Sequence, residues 1–563
     1  MENNKIPLSE YPRPQLERES YLSLNGYWEY KITTDSSIPS EYDGQILVPY
    51  SPECPMSGVN KLVTPKDYLF YRRYFDVTGE INNDKIILHF TAVDQIAEVY
   101  INGNFVGKHI GGFLPFSFDI KPYVKDTNNE LVVKVVDYTD SSYQSKGKQK
   151  LKRGGIWYSA QSGIYLPVWL EGVSNDYIEN VKYTPNIDDE NIEITVKSQA
   201  KSCKLKFFGK EIEIPTNEKY LLKIVDPILW DTENPYLYNI EFSTENDHVK
   251  SYFAMRKFST IKDKYGHLRL ALNNKPLFMK GLLDQGYYDE GWLTPRNEFD
   301  YISDILLCKQ LGFNTLRKHI KVETLRWYYH CDRIGVIVWQ DFVNGGSDYN
   351  FMTISSPLIT HIKIKDNHYR WLGRTSIEGK EQARQEFRDT IEYLYNVPSI
   401  GLWTIFNEAW GQFDSKDVYE EMIKLDNTRI YDHASGWYDQ GVSDTCSLHI
   451  YFQKVYIPSK KEINGRSLIV SECGGNSLPI QGHTFSNKVA GIKKFKKVED
   501  WVKEYERFIN EEIINNIPKG LSAFIYTQLS DVEDELNGFV TYDRKVVKFD
   551  KNKIQEINNK IHY

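Results

Sequence analysis

The sequence has little cysteine and no long apolar run, and these absences exclude several protein classes. Its 6 cysteines in 563 residues, Cys54, Cys203, Cys308, Cys331, Cys446 and Cys473, stand far apart with no Cys-x-x-Cys or finger spacing. Neither a zinc module nor a disulfide framework is indicated, and free thiols are expected. No stretch approaches the roughly 18 apolar residues of a membrane span, and residues 1–20 contain no apolar segment of a secretory leader. A cytoplasmic protein with no membrane partner is the expectation. Long basic runs are missing too: Lys+Arg 69 against Asp+Glu 77 gives a net charge of −8, so the electrostatic footprint of a nucleic-acid binder is absent. With no Gly-rich phosphate cradle and no spaced His/Glu motif, the residues imply neither an organic cofactor nor a metal site.

What is abundant is aromatic: 12 Trp, 40 Tyr and 27 Phe make up 14% of the chain. Flat apolar faces with polar edges suit β-sandwich cores, and they also suit the C–H faces of sugar rings. Apolar residues at 41% and charged residues at 26% are those of a folding chain. At roughly 150 residues per domain, its length predicts three or four domains.

Residues 1–174 read as a β-sandwich of short alternating runs such as KIILHF, AEVYING and LVVKVVDY, broken by Gly, Asn, Asp and Pro. Asn102-Gly103 is a two-residue hairpin signal, because a type I′ turn needs positive φ at both central positions. Residues 175–260 form a second set of strands of immunoglobulin-like size, with CKLKFFGKEIEI among them. From 261 to 563, β-branched runs alternate with helical stretches, and eight candidate strands over about 290 residues suit a (β/α)8 barrel. The fold class expected is therefore multidomain, all-β plus α/β: a jelly-roll sandwich, an immunoglobulin-like sandwich and a C-terminal barrel. Residues 343–399, between strands three and four, exceed what one crossover helix needs and predict a loop overhanging the barrel mouth.

Barrels deliver functional side chains at the carboxyl ends of their strands. Here those ends carry Asp284; Arg317 and His319; Trp339 and Asp341; Asn407, Glu408 and Trp410; Trp437; His449 and Tyr451; Glu472; and Tyr526. Glu408 and Glu472 stand out because each follows a buried apolar run, WTIF and LIVS. Glycosidic hydrolysis needs such a pair, one carboxylic acid to protonate the leaving oxygen and one carboxylate at the anomeric carbon or on water.

These residues carry a resemblance to family 2 of the glycoside hydrolases, the family of β-galactosidases, β-glucuronidases and β-mannosidases. PRPQLERESYLSLNGYWEY, YRRYF, GGFLPFSFDI and QSGIYLPVWLEG are similar to its N-terminal jelly roll, WDTENPYLY to the end of its middle domain, and GFNTLRKHI, CDRIGVIVWQDF, IFNEAW and SECGG to its barrel. The resemblance implies a retaining mechanism with Glu408 as general acid/base and Glu472 as nucleophile, and it implies that Asn407 binds the sugar 2-hydroxyl. Tyr451 is then a donor to the nucleophile or a core tyrosine. Arg317 and His319 orient Glu472 or a sugar hydroxyl, or form a strand-end ion pair. Trp339 and Trp437 floor the sugar site or pack the barrel, and Asp284, Asp341, Trp410, His449 and Tyr526 complete the expected substrate-binding set. Some family galactosidases bind Mg²⁺ and Na⁺ near the acid/base, so a divalent metal enters by analogy, with no ligands assigned; self-association enters the same way.

The sequence departs from the family at the points that read the sugar. Trp157 stands where the galactosidase branch places an acid, residues 529–545 lack the N-x-K pair of the glucuronidase branch, and Val397 replaces a frequent His. The expectation is an exo-acting β-glycosidase of β-galactosidase type acting on a carbohydrate substrate. β-Glucuronidase, β-mannosidase, β-galacturonidase and α-L-arabinosidase specificities are the alternatives within the family, and a catalytically silent carbohydrate-binding protein is the alternative from another class. A thiol hydrolase using Cys473 lacks any sequence signature for a base.

Overall fold

A computed structural model describes residues 6–358, 360 and 363–563; residues 1–5 of the expected first domain, and 359, 361 and 362 of the expected loop, lie outside the described residues. In the first sandwich a six-stranded antiparallel sheet faces a four-stranded one. Strand Asn129–Val136 sits between Tyr68–Phe75 and Ile96–Ile101, and its alternating Leu131, Val133 and Val135 point into a core shared with Trp28, Leu88 and Leu170. Period-two alternation puts every second side chain on that face. The hairpin at Asn102-Gly103 joins Ile96–Ile101 to Asn104–Ile110, with φ of 49° and 79° at its two corner residues.

The middle domain pairs a three-stranded with a four-stranded antiparallel sheet around Val181, Ile194, Leu205, Ile240 and Phe253. The run CKLKFFGKEIEI is two strands, Ser202–Phe207 and Lys210–Pro215, because Phe208-Gly209 adopts positive φ and reverses the chain.

The third region is the (β/α)8 barrel. Its parallel strands are Met279–Asp284 (β1), Thr315–Lys318 (β2), Ile337–Asp341 (β3), Ile400–Thr404 (β4), Ile430–Asp432 (β5), Thr445–Ile450 (β6), Ser467–Gly474 (β7) and Leu521–Thr527 (β8). They hydrogen-bond in the order β5-β4-β3-β2-β1-β8-β7-β6. Between β5 and β6 the seam is bridged by Asp444, whose carboxylate accepts from Tyr431 N at 2.8 Å and whose N–H donates to Tyr431 O at 3.2 Å. Gly281 is small for a reason: a Cβ there would lie 2.7 Å from Thr315 O on the neighbouring strand. Below the barrel, a small sheet built on Phe258–Lys262 and Leu268–Leu272 seals the bottom with Trp230, Phe258 and Leu270.

Residues 343–399 contain a short helix, Phe351–Ser355, and the crossover helix Ile377–Leu394. Asn350 and Ser376 cap them by accepting from Thr353 N and Gly379 N, as short polar side chains do at helix starts. All six cysteines are buried and unpaired. Among the described residues no helix is long and apolar enough to cross a membrane.

Candidate active site

The carboxyl ends of the strands surround a cavity of about 510 Å³, into which Glu408, Glu472, His319 and Tyr451 project. Glu472 sits near the end of β7 and Glu408 on a corner after β4. That corner is tight: Glu408 and Ala409 have φ of 48° and 63°, and Trp410 N donates to Asn407 O at 2.9 Å. Left-handed backbone at two consecutive non-glycine residues is strained and needs surrounding structure to hold it. Glu408 N donating to Ser435 O across to the β5 side supplies part of that support.

Arg317, fully buried on β2, organises the site. Its five N–H donors are all engaged: Nε and Nη2 reach the two oxygens of Asp341 at 2.9 and 3.0 Å, Nη2 also reaches Asn407 Oδ1 at 2.7 Å, and Nη1 reaches Ser471 O at 3.0 Å and Glu472 Oε1 at 3.1 Å. A planar fork with every donor used fixes three acceptor side chains at once. Tyr451 donates to the other oxygen of Glu472 and lies 3.1 Å from Thr527 Oγ1. Asn407 Nδ2, next in the chain to the cavity-lining Glu408, is buried with no protein partner among the described residues, a donor whose capacity is unused.

His449 stands between the acids, its Nδ1 2.8 Å from Glu408 Oε1 and 3.7 Å from Glu472 Oε2. Gly436 makes room for it: a Cβ there would lie 2.4 Å from the imidazole. His319 Nδ1 is 2.8 Å from Asp341 Oδ2. Burial lowers the proton affinity of His319, and burial of Asp341 is outweighed by Arg317 and His319, which keep it a carboxylate. A carboxylate only accepts, so Nδ1 of the neutral ring carries the proton and Nε2 is left as an acceptor.

The two acids are driven in opposite directions. Burial, then the charge of Glu472, raises Glu408, against the hydrogen bond and charge of His449. Burial also disfavours the Glu472 anion, but His449, Arg317, His319 and the hydrogen bond from Tyr451 outweigh it and hold the group down to about 2. Two adjacent carboxyl groups whose proton affinities are pushed apart in this way can divide the work of proton donor and carboxylate between them. An oxygen of each acid and His449 Nδ1 or Nε2 lie within 4.8 Å of one another. These three residues are the one group among the described residues that brings metal-type ligands together. The donor set fits a cation poorly, because Arg317 and Tyr451 already occupy the oxygens of Glu472, and no step is routed through a metal.

Trp410, Trp437, Tyr451 and His319 line the cavity, while Asp341 and His449 stand behind it in contact with the residues that do. Three expected site residues are not in it. Asp284 follows Leu282 on the outward face of β1 and is tied to Lys318 Nζ at 2.7 Å and Gly286 N at 2.8 Å. Tyr526 pairs with Leu282 on the adjacent strand, faces the same way, and packs on Tyr505, Phe508 and Phe539. Trp339 points inward but too low, its indole donating to Met279 Sδ at 3.3 Å amid Leu402, Ile469 and Ile525. Cys473 faces outward toward Ile525 O, and burial raises its thiol.

Among the lining residues not singled out from the sequence are Lys148 of the jelly roll, Gln285 after β1, and Glu535 and Asn537 after β8. Position gave a usable signal for the last three, since each follows the end of a barrel strand; nothing local marks Lys148. Trp157, noted as a departure from the family, lines the cavity with its ring 4.9 Å from that of Trp410.

Comparisons with known proteins bear on the family and the three-part fold. Three family models match: the sugar-binding domain of glycosyl hydrolases family 2 over residues 21–171, its middle domain over 174–256 and its TIM barrel domain over 262–561. Among curated relatives, a β-galactosidase of Thermoanaerobacter pseudethanolicus is 26% identical over 65% of this chain and 48% of its own length. A β-glucuronidase of Streptococcus agalactiae is 24% identical over 83% of this chain and 84% of its own. The chain thus spans about half of that β-galactosidase and most of that β-glucuronidase. Among solved structures, the β-D-glucuronidase of Dictyoglomus thermophilum superposes with a TM-score of 0.76 at 19% identity, covering 98% of this chain and 99% of that one. A β-galacturonidase from Eisenbergiella tayi gives 0.71 at 18% identity, covering 98% and 100%. With jelly roll, middle sandwich and barrel each matched along nearly the whole length, the chain belongs to family 2 of the glycosyl hydrolases.

Proposed function

We propose that this glycosidase is a retaining, exo-acting β-glycosidase of β-galactosidase type, which removes the terminal non-reducing sugar of an oligosaccharide or glycoside by double displacement. The observation that carries the reading is the pair Glu408 and Glu472, with oxygens within 4.8 Å of each other and opposite proton affinities. Retaining enzymes hold their carboxyl groups about 5–5.5 Å apart, whereas inverting ones leave about 6.5–9.5 Å for a water.

In the first half-reaction a Glu472 oxygen attacks the anomeric carbon while the Glu408 proton passes to the glycosidic oxygen, and the aglycone leaves as an alcohol. The sugar remains as an ester on Glu472. Esterification removes the negative charge that helped raise Glu408, so Glu408 stays ionised and takes a proton from water as that water attacks the anomeric carbon. Glu472 then leaves as a carboxylate again. Asn407 Nδ2, without a protein partner, supplies a hydrogen bond to the sugar 2-hydroxyl, and Arg317 and Tyr451 steady the nucleophile. Lys148, Trp157 and Glu535 wall the cavity on the jelly-roll side, which suits removal of one terminal sugar.

The test is hydrolysis of p-nitrophenyl β-galactoside, β-glucuronide, β-mannoside, β-glucoside, β-galacturonide and α-L-arabinoside, with Glu472→Gln as control. A 2-deoxy-2-fluoro glycoside of the best glycone is expected to add one sugar mass to the wild-type enzyme at Glu472. Turnover that survives Glu472→Gln, or inverted product, overturns the proposal.

A further inference from the structure

Lys148 is the one lysine or arginine lining the cavity among the described residues, and it comes from the jelly roll rather than the barrel. Its Nζ lies 3.3 Å from Tyr158 Oη and 3.8 Å from Glu535 Oε2, and the side chains of Lys148 and Glu535 are each only 8% exposed. Tyr158 sits between the two charges and donates to Glu535. The pair faces the same space as the acids: the charge of Lys148 acts on both Glu408 and His319.

Both members keep hydrogen-bonding capacity. An ammonium has three donors, and Tyr158 is the acceptor that Lys148 finds within hydrogen-bond distance. Among the described residues Glu535 Oε1 has only Asn537 Nδ2, at 3.5 Å. A hydroxyl placed there accepts from Lys148 and donates to Glu535, satisfying both. A carboxylate only accepts; it would leave Glu535 unsatisfied and add a third negative centre near Glu535 and Glu472. Arg317 cannot compensate, because its five donors are already engaged.

Resting on the glycosidase reading above, we propose that Lys148 and Glu535 form the recognition pair for the far edge of the terminal sugar, selecting a neutral sugar with free hydroxyls over a uronic acid. The specificity element is thus split between two domains, a cation from the jelly roll and an anion from the loop after β8.

The experiment compares kcat/KM for sugars that differ only at C6, p-nitrophenyl β-galactoside against β-galacturonide and β-glucoside against β-glucuronide. The wild type, Lys148→Met and Glu535→Gln are used, with folding checked by thermal melting. For the accepted glycone the neutral member is expected to win by about 100-fold, the scale of an unpaired like-charge contact. Glu535→Gln is expected to shrink that ratio at least tenfold, and Lys148→Met to lower kcat/KM for the neutral sugar. A uronide preferred by the wild type, or a ratio unmoved in Glu535→Gln, overturns the proposal. Calorimetric binding of the free sugars to wild-type enzyme separates the two readings. Neutral sugars bound more tightly than their uronates without any hydrolysis would count against the glycosidase mechanism and for the pair, whereas uronates bound equally or better would count against the pair.

Discussion

His449 Nδ1 lies 2.8 Å from Glu408 Oε1 and is held from behind by Ser435 Oγ, 3.0 Å from its other nitrogen. The proton affinity of Glu408 is therefore set by a balance: burial and Glu472 push it up, and His449 pulls it down. For a general acid the useful position is near the working pH, where it is both protonated and able to give its proton away.

The pH dependence follows from the signs. Glu408 must be protonated, so kcat/KM falls as pH rises through its raised value. Glu472 must be ionised, and with its value at about 2 activity is retained far into acid. Replacing His449 by Ala removes the interaction that lowers Glu408 and is expected to move the alkaline limb to higher pH. A pH profile of kcat/KM on one substrate for wild type and His449→Ala checks this; a limb that stays in place or moves to lower pH would sink it.

Removal of the acid has a distinctive signature. Glu408→Ala is expected to lose about 10²–10⁴-fold in kcat/KM on glycosides with poor leaving groups, but far less on 2,4-dinitrophenyl glycosides, which leave without a proton. Azide is expected to restore turnover and yield a β-glycosyl azide. Equal losses on good and poor leaving groups would contradict the role of Glu408.

Both acids were legible in the sequence because each ends an apolar strand run, and the barrel's rhythm says which end of a strand matters. Asp284, Trp339 and Tyr526 misled because position along a strand does not give facing or depth. Asp284 and Tyr526 share the outward side of Leu282, and Trp339 points inward one layer too low. Lys148 was illegible for another reason: its loop meets the barrel only through the packing of two domains, and no local pattern encodes that approach. The run CKLKFFGKEIEI shows the same limit on a small scale, since only the positive φ at Phe208-Gly209 reveals two strands.

Arg317 is expected to matter to folding as much as to chemistry. Arg317→Met leaves Asp341 and Glu472 buried without their guanidinium, which costs about 3–5 kcal/mol when a buried ion pair loses one partner. Denaturant unfolding should show that loss together with a collapse of kcat. Arg317→Lys keeps the charge but not the fork, so it should recover stability better than activity, since Asn407 and Glu472 would no longer be held together. A lysine variant with full kcat would show that the fork is not what positions the nucleophile.

Exposed aromatic rings stand at the mouth of the cavity. Phe351, on the short helix of the 343–399 segment, is 74% exposed, and Phe452, after β6, is 59% exposed; both border the cavity, as do Ile354 and Trp437. Apolar rings held in water at the rim of a polar site gain when an apolar group covers them, by about 25 cal/mol per Å². Covering some 50–60 Å² on one ring is then worth about 1.5 kcal/mol, or roughly tenfold in affinity. Phe351→Ala and Phe452→Ala are accordingly expected to raise KM about tenfold for aryl glycosides and to change it little for methyl glycosides, with kcat nearly constant in both. That split separates aglycone binding from damage to the acids, which would depress kcat for every substrate alike. A uniform loss, or none, would remove these rings from substrate binding.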